Sequence, residues 1–278
     1  MRKVLIISAF IALMIASSLF GSLITAKELD GMDDVTIVST RSPKDYKMVH
    51  IESAINVYHK GLYQDGEIKG LLKSPNELAT ILGEKGLTRD TKVVIYDVGD
   101  MKFAGRLYWI FKFLGMKDVH ILDGGMKAWR KARKPVSRDA VATEPATFTT
   151  ACKYDILAST DYVKDNKASA VLVDVRSRDE FDGKTGEVKQ KGHIEGAKHL
   201  HFEELINDDG TMKSKADIQK IFDGVGASKG KEIILYCETS VRTGIVYFAL
   251  AELLGYNNVK VYDGALYEWE AKGNSVVK

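Results

Sequence analysis

The chain contains two copies of one pattern, and this repeat limits its fold more than any other feature. Shifting the sequence by 140 positions produces a long ungapped match, in which Ser74 falls on Ser214, Gly86 on Gly226 and Tyr96 on Tyr236. Gly115 falls on Gly255, Asp123-Gly124 on Asp263-Gly264 and Trp129 on Trp269. Upstream, Arg41 aligns with Arg176 and His50-Ile51 with His193-Ile194, with a small insertion in the second copy. Two homologous domains are therefore expected, at 30–135 and 155–278. Between them, 136–154 has little periodic pattern and contains Pro145, as a linker would.

Each copy alternates short strands with amphipathic helices. Val35–Ser39, Val93–Tyr96 and Val119–Leu122 are apolar runs of strand length, as are Ala170–Val175, Glu232–Tyr236 and Val259–Tyr262 in the second copy. Ser74-Pro75-Asn76-Glu77 has the signature of a helix start, and Ser214 and Asp217 keep the same roles. Helices are expected over Phe103–Leu114 and Arg242–Leu254, stopped by Gly115 and Gly255. The aromatics Tyr108, Trp109, Phe111 and Phe113 on the first of these read as core and domain interface. This alternation predicts an α/β fold, each domain a mainly parallel sheet flanked by helices.

Composition excludes several classes. Forty Lys+Arg against 38 Asp+Glu leave a formal charge of +2, with no basic excess to bind nucleic acid. Cys152 and Cys237 are too few for a disulfide framework or a four-ligand zinc site. Arg2 and Lys3 precede an uncharged apolar run from Val4 to Thr25, with charges resuming at Lys27. This reads as a signal peptide over residues 1–26, cut after Ala26, or as an uncleaved N-terminal anchor. Either makes the protein periplasmic or otherwise exported, with membrane association only in the uncleaved case. An oxidising compartment also brings a Cys152–Cys237 bridge into consideration. Removing residues 1–26 takes away Arg2 and Lys3 and no acidic residue, leaving 38 basic against 38 acidic residues, so any attraction for an anion must be local to the site.

The two copies differ where chemistry is expected. Residue 97 is Asp and residue 237 is Cys, each directly after a buried strand and before a helix, where open parallel sheets place their sites. Loop amides and a helix N-terminus facing Cys237 would favour a thiolate, which is a good nucleophile. The alternative is a structural thiol, as free cysteines are commonly buried.

The second copy resembles a rhodanese domain, and the chain as a whole resembles a tandem-domain rhodanese sulfurtransferase. The resemblance rests on Asp174-Val175-Arg176, Glu180-Phe181 and Gly192-His193-Ile194-Glu195-Gly196-Ala197. It rests also on the loop Cys237–Arg242 and on Tyr262-Asp263-Gly264-Ala265 followed by Trp269. It implies two rhodanese-like domains, of which the first, with Asp97 for Cys, is inactive. It further implies sulfane-sulfur transfer from a small donor to a thiophilic acceptor, such as cyanide, a small thiol or a protein thiol, through a persulfide on Cys237 and without a cofactor. The amides of Glu238, Thr239, Ser240, Val241 and Arg242 would cradle the persulfide. Arg176 would bind the donor's anionic end, unless it forms an ordinary ion pair, and Asp174 would orient it. Arg242 would either line the pocket or pair with a carboxylate.

Glu238-Thr239 matches neither the basic pattern of thiosulfate-preferring members nor the small pattern of 3-mercaptopyruvate-preferring ones. Glu238 repels a dianionic donor if it points inward. Thiosulfate is ranked first on the compartment and Arg242, and 3-mercaptopyruvate second. A sulfur-relay or binding module with little turnover is the rival from another class. A phosphatase is a further rival, but only four residues separate Cys237 from Arg242, one fewer than in phosphatase loops. His199 and His201 are spaced to share a strand face, without the companions that a metal site needs. Asp208-Asp209 reads as a solvated loop.

Overall fold

The computed structural model describes residues 21–278. The first domain contains β1 (Leu23–Ile24), α1 (Ala26–Asp30), β2 (Thr36–Ser39), α2 (Pro43–Met48), β3 (His50–Ile51) and β4 (Ile55–Asn56). It continues with α3 (Pro75–Glu84), β5 (Val93–Tyr96), α4 (Lys102–Phe113), β6 (Val119–Leu122), α5 (Gly125–Lys131) and β7 (Val136–Ser137). The second contains β8 (Leu157–Ala158), α6 (Thr160–Asn166), β9 (Val171–Asp174), α7 (Arg178–Phe181), β10 (Lys198–His199) and α8 (Lys215–Gly224). It ends with β11 (Ile233–Tyr236), α9 (Thr243–Phe248), β12 (Val259–Tyr262) and α10 (Ala265–Ala271).

Both main sheets have five strands, ordered β1-β6-β5-β2-β4 and β10-β9-β11-β12-β8, and every neighbouring pair in them is parallel. The two orders are the same arrangement, with β1 in the place of β8 and β4 in the place of β10. Ser74 caps α3 in a full capping box with Glu77, and Ser214 caps α8.

The central strands are buried on both faces, and the period-2 alternation divides their side chains between two cores. Val93 and Ile95 join the core that runs between the domains, while Val94 and Tyr96 join the first domain's outer core. In β11, Ile233 and Leu235 face the shared core, and Ile234 and Tyr236 face the second domain's outer core. The aromatics of α4 are buried, with Tyr108 meeting Phe248 edge-on at 4.9 Å between centroids.

The domains meet where α4 crosses α9. A Cβ on Gly105 would lie 2.3 Å from the Ile245 nitrogen, and one on Gly244 would lie 2.4 Å from the Arg106 nitrogen. The two glycines thus let the helix backbones touch. Of the helix expected over Arg242–Leu254 only α9 is α-helical: beyond it the Leu254 N–H reaches back five residues to the Ala249 carbonyl, a wide turn that the periodicity does not foretell. Gly115 and Gly255, with φ of +88° and +69°, stand just past the two helices as expected.

Two boundaries differ from expectation. Leu23–Ile24 pairs with Ile121–Leu122 as a sheet edge, and Thr25 caps α1, so the first domain's fold includes residues upstream of 30. The greater part of the apolar N-terminal run, through Phe20, lies outside the described residues. The segment 136–154 is no free tether. Its β7 pairs with β3, and Ala146, Ala151 and Lys153 donate backbone hydrogen bonds to Gly83, Leu114 and Phe113.

Candidate active site

Strand parity sets the position of Cys237. It follows Leu235 by two residues, so its side chain enters the core shared by the domains rather than the outer core. It is fully buried, and the loop that follows it forms the floor of a cleft of about 1180 Å³ between the domains. The loop turns through Ser240, a non-glycine residue at φ +63°. Its hydroxyl, bonded to the Tyr262 carbonyl at 3.0 Å and to the Thr243 hydroxyl at 3.1 Å, holds that conformation. Among the described residues no oxygen accepts from the backbone N–H groups of Glu238 to Arg242.

The first domain shows what such a loop holds. There the Asp97 carboxylate accepts from the N–H groups of Gly99, Met101, Phe103 and Ala104 at 2.9–3.2 Å. Burial, and then the charge of Asp100, push this carboxyl up to about 6 against the pull of those amides. The loop of this fold is therefore an anion cradle, filled in one copy by its own side chain and left open in the other.

Arg242 both lines the cleft and pairs with a carboxylate. Its guanidinium makes a two-pronged bond to Glu180 at 2.8 and 2.9 Å. Burial opposes its charge, but Glu180 and the neighbouring Cys237 more than compensate, so its pKa is raised. Burial would raise the Glu180 carboxyl, yet Arg242 and the Ser177 cap bring it down to about 2. Glu180 appears in the sequence as part of the Ser177 capping box, a signal that marks a helix start but says nothing of Arg242.

Glu238 points along the cleft wall. One carboxylate oxygen accepts from the Glu187 and Val188 N–H groups at 2.6 and 3.2 Å, and the other lies 3.8 Å from Arg242. Its charge is largely balanced there, which removes the repulsion expected of an inward carboxylate. Thr239 and Val241 also line the cleft, while Ser240 is buried behind them.

Arg176 requires a correction. Expected to bind the donor, it is buried away from the cleft lining, held by Asp174 at 2.6–3.1 Å and by the Gly192 carbonyl at 2.7 Å. With its Nε and Nη2 directed to these groups, it braces the loop before β10. Asp174 accepts from both the backbone N–H and the guanidinium of Arg176. His199 and His201 do not share a strand face, because β10 ends at His199. The His199 ring donates to the Arg176 carbonyl, whereas His201 lines the cleft. Both cysteines are free thiols, so the Cys152–Cys237 bridge is not formed.

The opposite wall comes from the first domain and was not anticipated. His59, Lys60, Tyr63, Lys69, Lys102 and Phe103 line it. The Tyr63 hydroxyl bonds to His59 Nδ1 at 3.0 Å, and burial together with Lys60, Arg106 and Lys102 pushes His59 down to about 4. At neutral pH that imidazole is uncharged. Gly70, at φ +82°, brings its hairpin so close to the Cys237–Arg242 loop that a Cβ there would lie 2.5 Å from the Thr239 carbonyl. Gly210 meets Gly99 in the same way, so each domain's hairpin covers the other's loop. These pairs repeat at 140 positions, as Gly70 and Gly210 do in the sequence. That spacing shows an equivalence between copies, not a contact across them.

Known proteins agree with this architecture. A family model described as a rhodanese-like domain matches residues 24–132 and again 159–272. A putative thiosulfate sulfurtransferase of Mycolicibacterium smegmatis is 36% identical over 234 residues, covering 81% of this chain and 84% of its own. The sulfur carrier protein TtuD of Thermus thermophilus is 30% identical over 240 residues, covering 81% and 83%. Among solved structures, the 3-mercaptopyruvate sulfurtransferase SseA from Escherichia coli aligns with a TM-score of 0.79 at 26% identity, over 88% of this chain and 99% of that one. With two matched domains and relatives of this closeness along most of its length, the chain belongs to the rhodanese family of sulfurtransferases.

Proposed function

We propose that this chain moves sulfane sulfur from thiosulfate to a thiophilic acceptor through a persulfide on Cys237. The observation that carries the reading is the pair of loops: one cradle is filled by the Asp97 carboxylate, while among the described residues the loop N–H groups of Glu238 to Arg242 beside Cys237 have no protein acceptor. In the first step the Cys237 thiolate attacks the outer sulfur of thiosulfate. A Sγ–S bond forms, the donor's S–S bond breaks, and its electron pair leaves on sulfite. The loop amides and Arg242 stabilise the anionic persulfide. In the second step the acceptor attacks the terminal sulfur and the Cys237 thiolate departs, a ping-pong cycle. Burial of Cys237 keeps water away from the persulfide between the two steps.

Arg242 is shared with Glu180 and Glu238, Lys69 pairs with Glu187 at 3.3 Å and Lys102 with Asp100 at 2.7 Å, so among the described residues Lys60 is the cleft cation left to meet the donor's charge. The thiosulfate sulfurtransferase names of the relatives point the same way. The acceptor is a small thiophile or a protein thiol, reached in an exported compartment.

The test is thiocyanate production from thiosulfate and cyanide by the wild type and by Cys237→Ser, run beside 3-mercaptopyruvate as donor. Turnover lost in the variant, with wild-type Cys237 becoming one sulfur atom heavier on donor addition, is the expected result. A persulfide that forms but does not turn over with any small acceptor would instead indicate a relay. Faster turnover with 3-mercaptopyruvate would overturn the donor.

A further inference from the structure

The first domain, which lacks the nucleophile, has a cavity of its own of about 260 Å³ beside Asp97. Its chemistry follows from one exchange between the copies. Sheet register places Ser39 opposite Tyr96 as it places Asp174 opposite Tyr236, so Ser39 stands where the second domain has Asp174. Arg41 therefore lacks the carboxylate that holds Arg176. Its Nη1 donates to the Val49 carbonyl at 2.7 Å, while its Nε is buried with no partner, and no carboxylate pairs with it among the described residues. Beside it, Thr40 occupies the place of Val175. Thr40 is 1% exposed and its hydroxyl also has no partner. Both residues line the cavity, and Lys60 adds a second cation to its wall.

Buried polar atoms in native proteins are nearly always bonded, so two orphans on one cavity wall call for a ligand. The acids on the wall are already engaged. Asp45 takes the Ser42 hydroxyl, and Asp97 takes four loop amides. What remains unmet is a guanidinium N–H, a hydroxyl and an ammonium, all of which can serve an anion. We propose that this cavity is a binding site for a small oxyanion, held by Arg41 and Thr40 in the domain that has lost its catalytic cysteine. The site centres on Arg41 and Thr40, on the first domain's side of a wall of His59, Lys60 and Phe103 that it shares with the main cleft.

The experiment uses selenate as the probe. Calorimetric titration of the full chain, in the Cys237→Ser background, is compared with Arg41→Gln and Thr40→Val in the same background, and selenium is located by anomalous diffraction from soaked crystals. Arg41→Gln is expected to weaken one selenate site about ten- to a hundredfold, as loss of a charged hydrogen-bonding partner does. Thr40→Val restores the residue of the second copy and removes only the hydroxyl, with an expected loss of about three- to tenfold. The expected anomalous peak lies against Arg41. Titrations of Arg41→Gln and Thr40→Val that match the parent, or selenium found only in the main cleft, would overturn the proposal. A thermal melt identifies any loss of fold in Arg41→Gln, in which case the near-isosteric Thr40→Val decides.

Discussion

Glu180 links the Cys237–Arg242 loop to the start of α7, and its ionisation should be visible in the stability of the whole domain. Its carboxyl is held at about 2, against an ordinary 4.5, because Arg242 and Ser177 outweigh its burial. A carboxyl depressed in the folded state contributes stability that is present above its unfolded pKa and lost as pH falls toward the folded one. Allowing for partial exposure, the contribution is about 2 kcal/mol at neutral pH. Denaturant titrations should find Glu180→Gln less stable than the wild type by about that amount at pH 7, with the gap closing between pH 4.5 and 2. A gap that stays constant over this range would mean that the Arg242 pair does not set it. Asp97 gives a second prediction. An Asn side chain has one acceptor oxygen, and its amide would turn N–H groups toward two of the four loop N–H donors. Asp97→Asn should therefore lower stability by about 1–3 kcal/mol, read by thermal or denaturant melts. An unchanged midpoint would contradict the cradle geometry. At this scale the sequence is legible for Cys237 and unclear for Arg176. Parity and the strand-to-helix junction locate a side chain, whereas an arginine two residues after an aspartate looks the same whether it meets a donor or its own neighbour.

At the scale of elements, the helix crossing is the most sensitive contact. Gly105 and Gly244 put backbone against backbone, so an added methyl has no flexible side chain to displace and the helices must separate. Gly244→Ala should destabilise the protein by about 1–3 kcal/mol or more. It should also reduce thiosulfate:cyanide turnover, since the cleft is formed by the two domains that this crossing holds together. Wild-type stability and turnover in Gly244→Ala would show that the helices are less closely apposed than described. Gly244 is easy to see in the sequence, as is the repeat, but its role depends on which helix lies across it. The strands are legible because both faces are apolar, and α3 and α8 because their caps are explicit. The short edge strand β1 is hidden in an apolar run that also suits a signal or an anchor. The clue was available in the repeat, since Leu23-Ile24-Thr25 follows the pattern of Leu157-Ala158-Ser159, an edge strand followed by a helix cap in each domain.

The molecule works as a docked pair, with a polar link as well as an apolar one. Arg106 is fully buried and reaches Asp263 of the second domain at 2.6 Å and the Gly70 carbonyl at 2.9 Å. Asp263 in turn accepts from the Leu72 N–H at 3.0 Å. Asp123 repeats this last contact by accepting from Met212 at 2.7 Å. Removing one member of a buried ion pair leaves the other charge uncompensated, so Asp263→Ala should cost about 3–5 kcal/mol in a denaturant melt. A loss below about 1 kcal/mol would mean that water reaches Arg106. The start of the mature chain follows from the same integrity. A cut after Ala26 would remove β1 from the first sheet, together with buried Ile24 and the Thr25 cap of α1. It would also remove Ser22, whose hydroxyl donates to Glu252 of the second domain at 3.1 Å. Export is therefore proposed with a mature N-terminus upstream of Ser22, or with the apolar segment kept as an anchor. N-terminal sequencing of the protein from its own host should find a start before Ser22, and a chain shortened to begin at Lys27 should melt at a lower temperature than one beginning at Gly21. A native N-terminus at Lys27 with an undiminished melting temperature would overturn the assignment of β1 to the working fold.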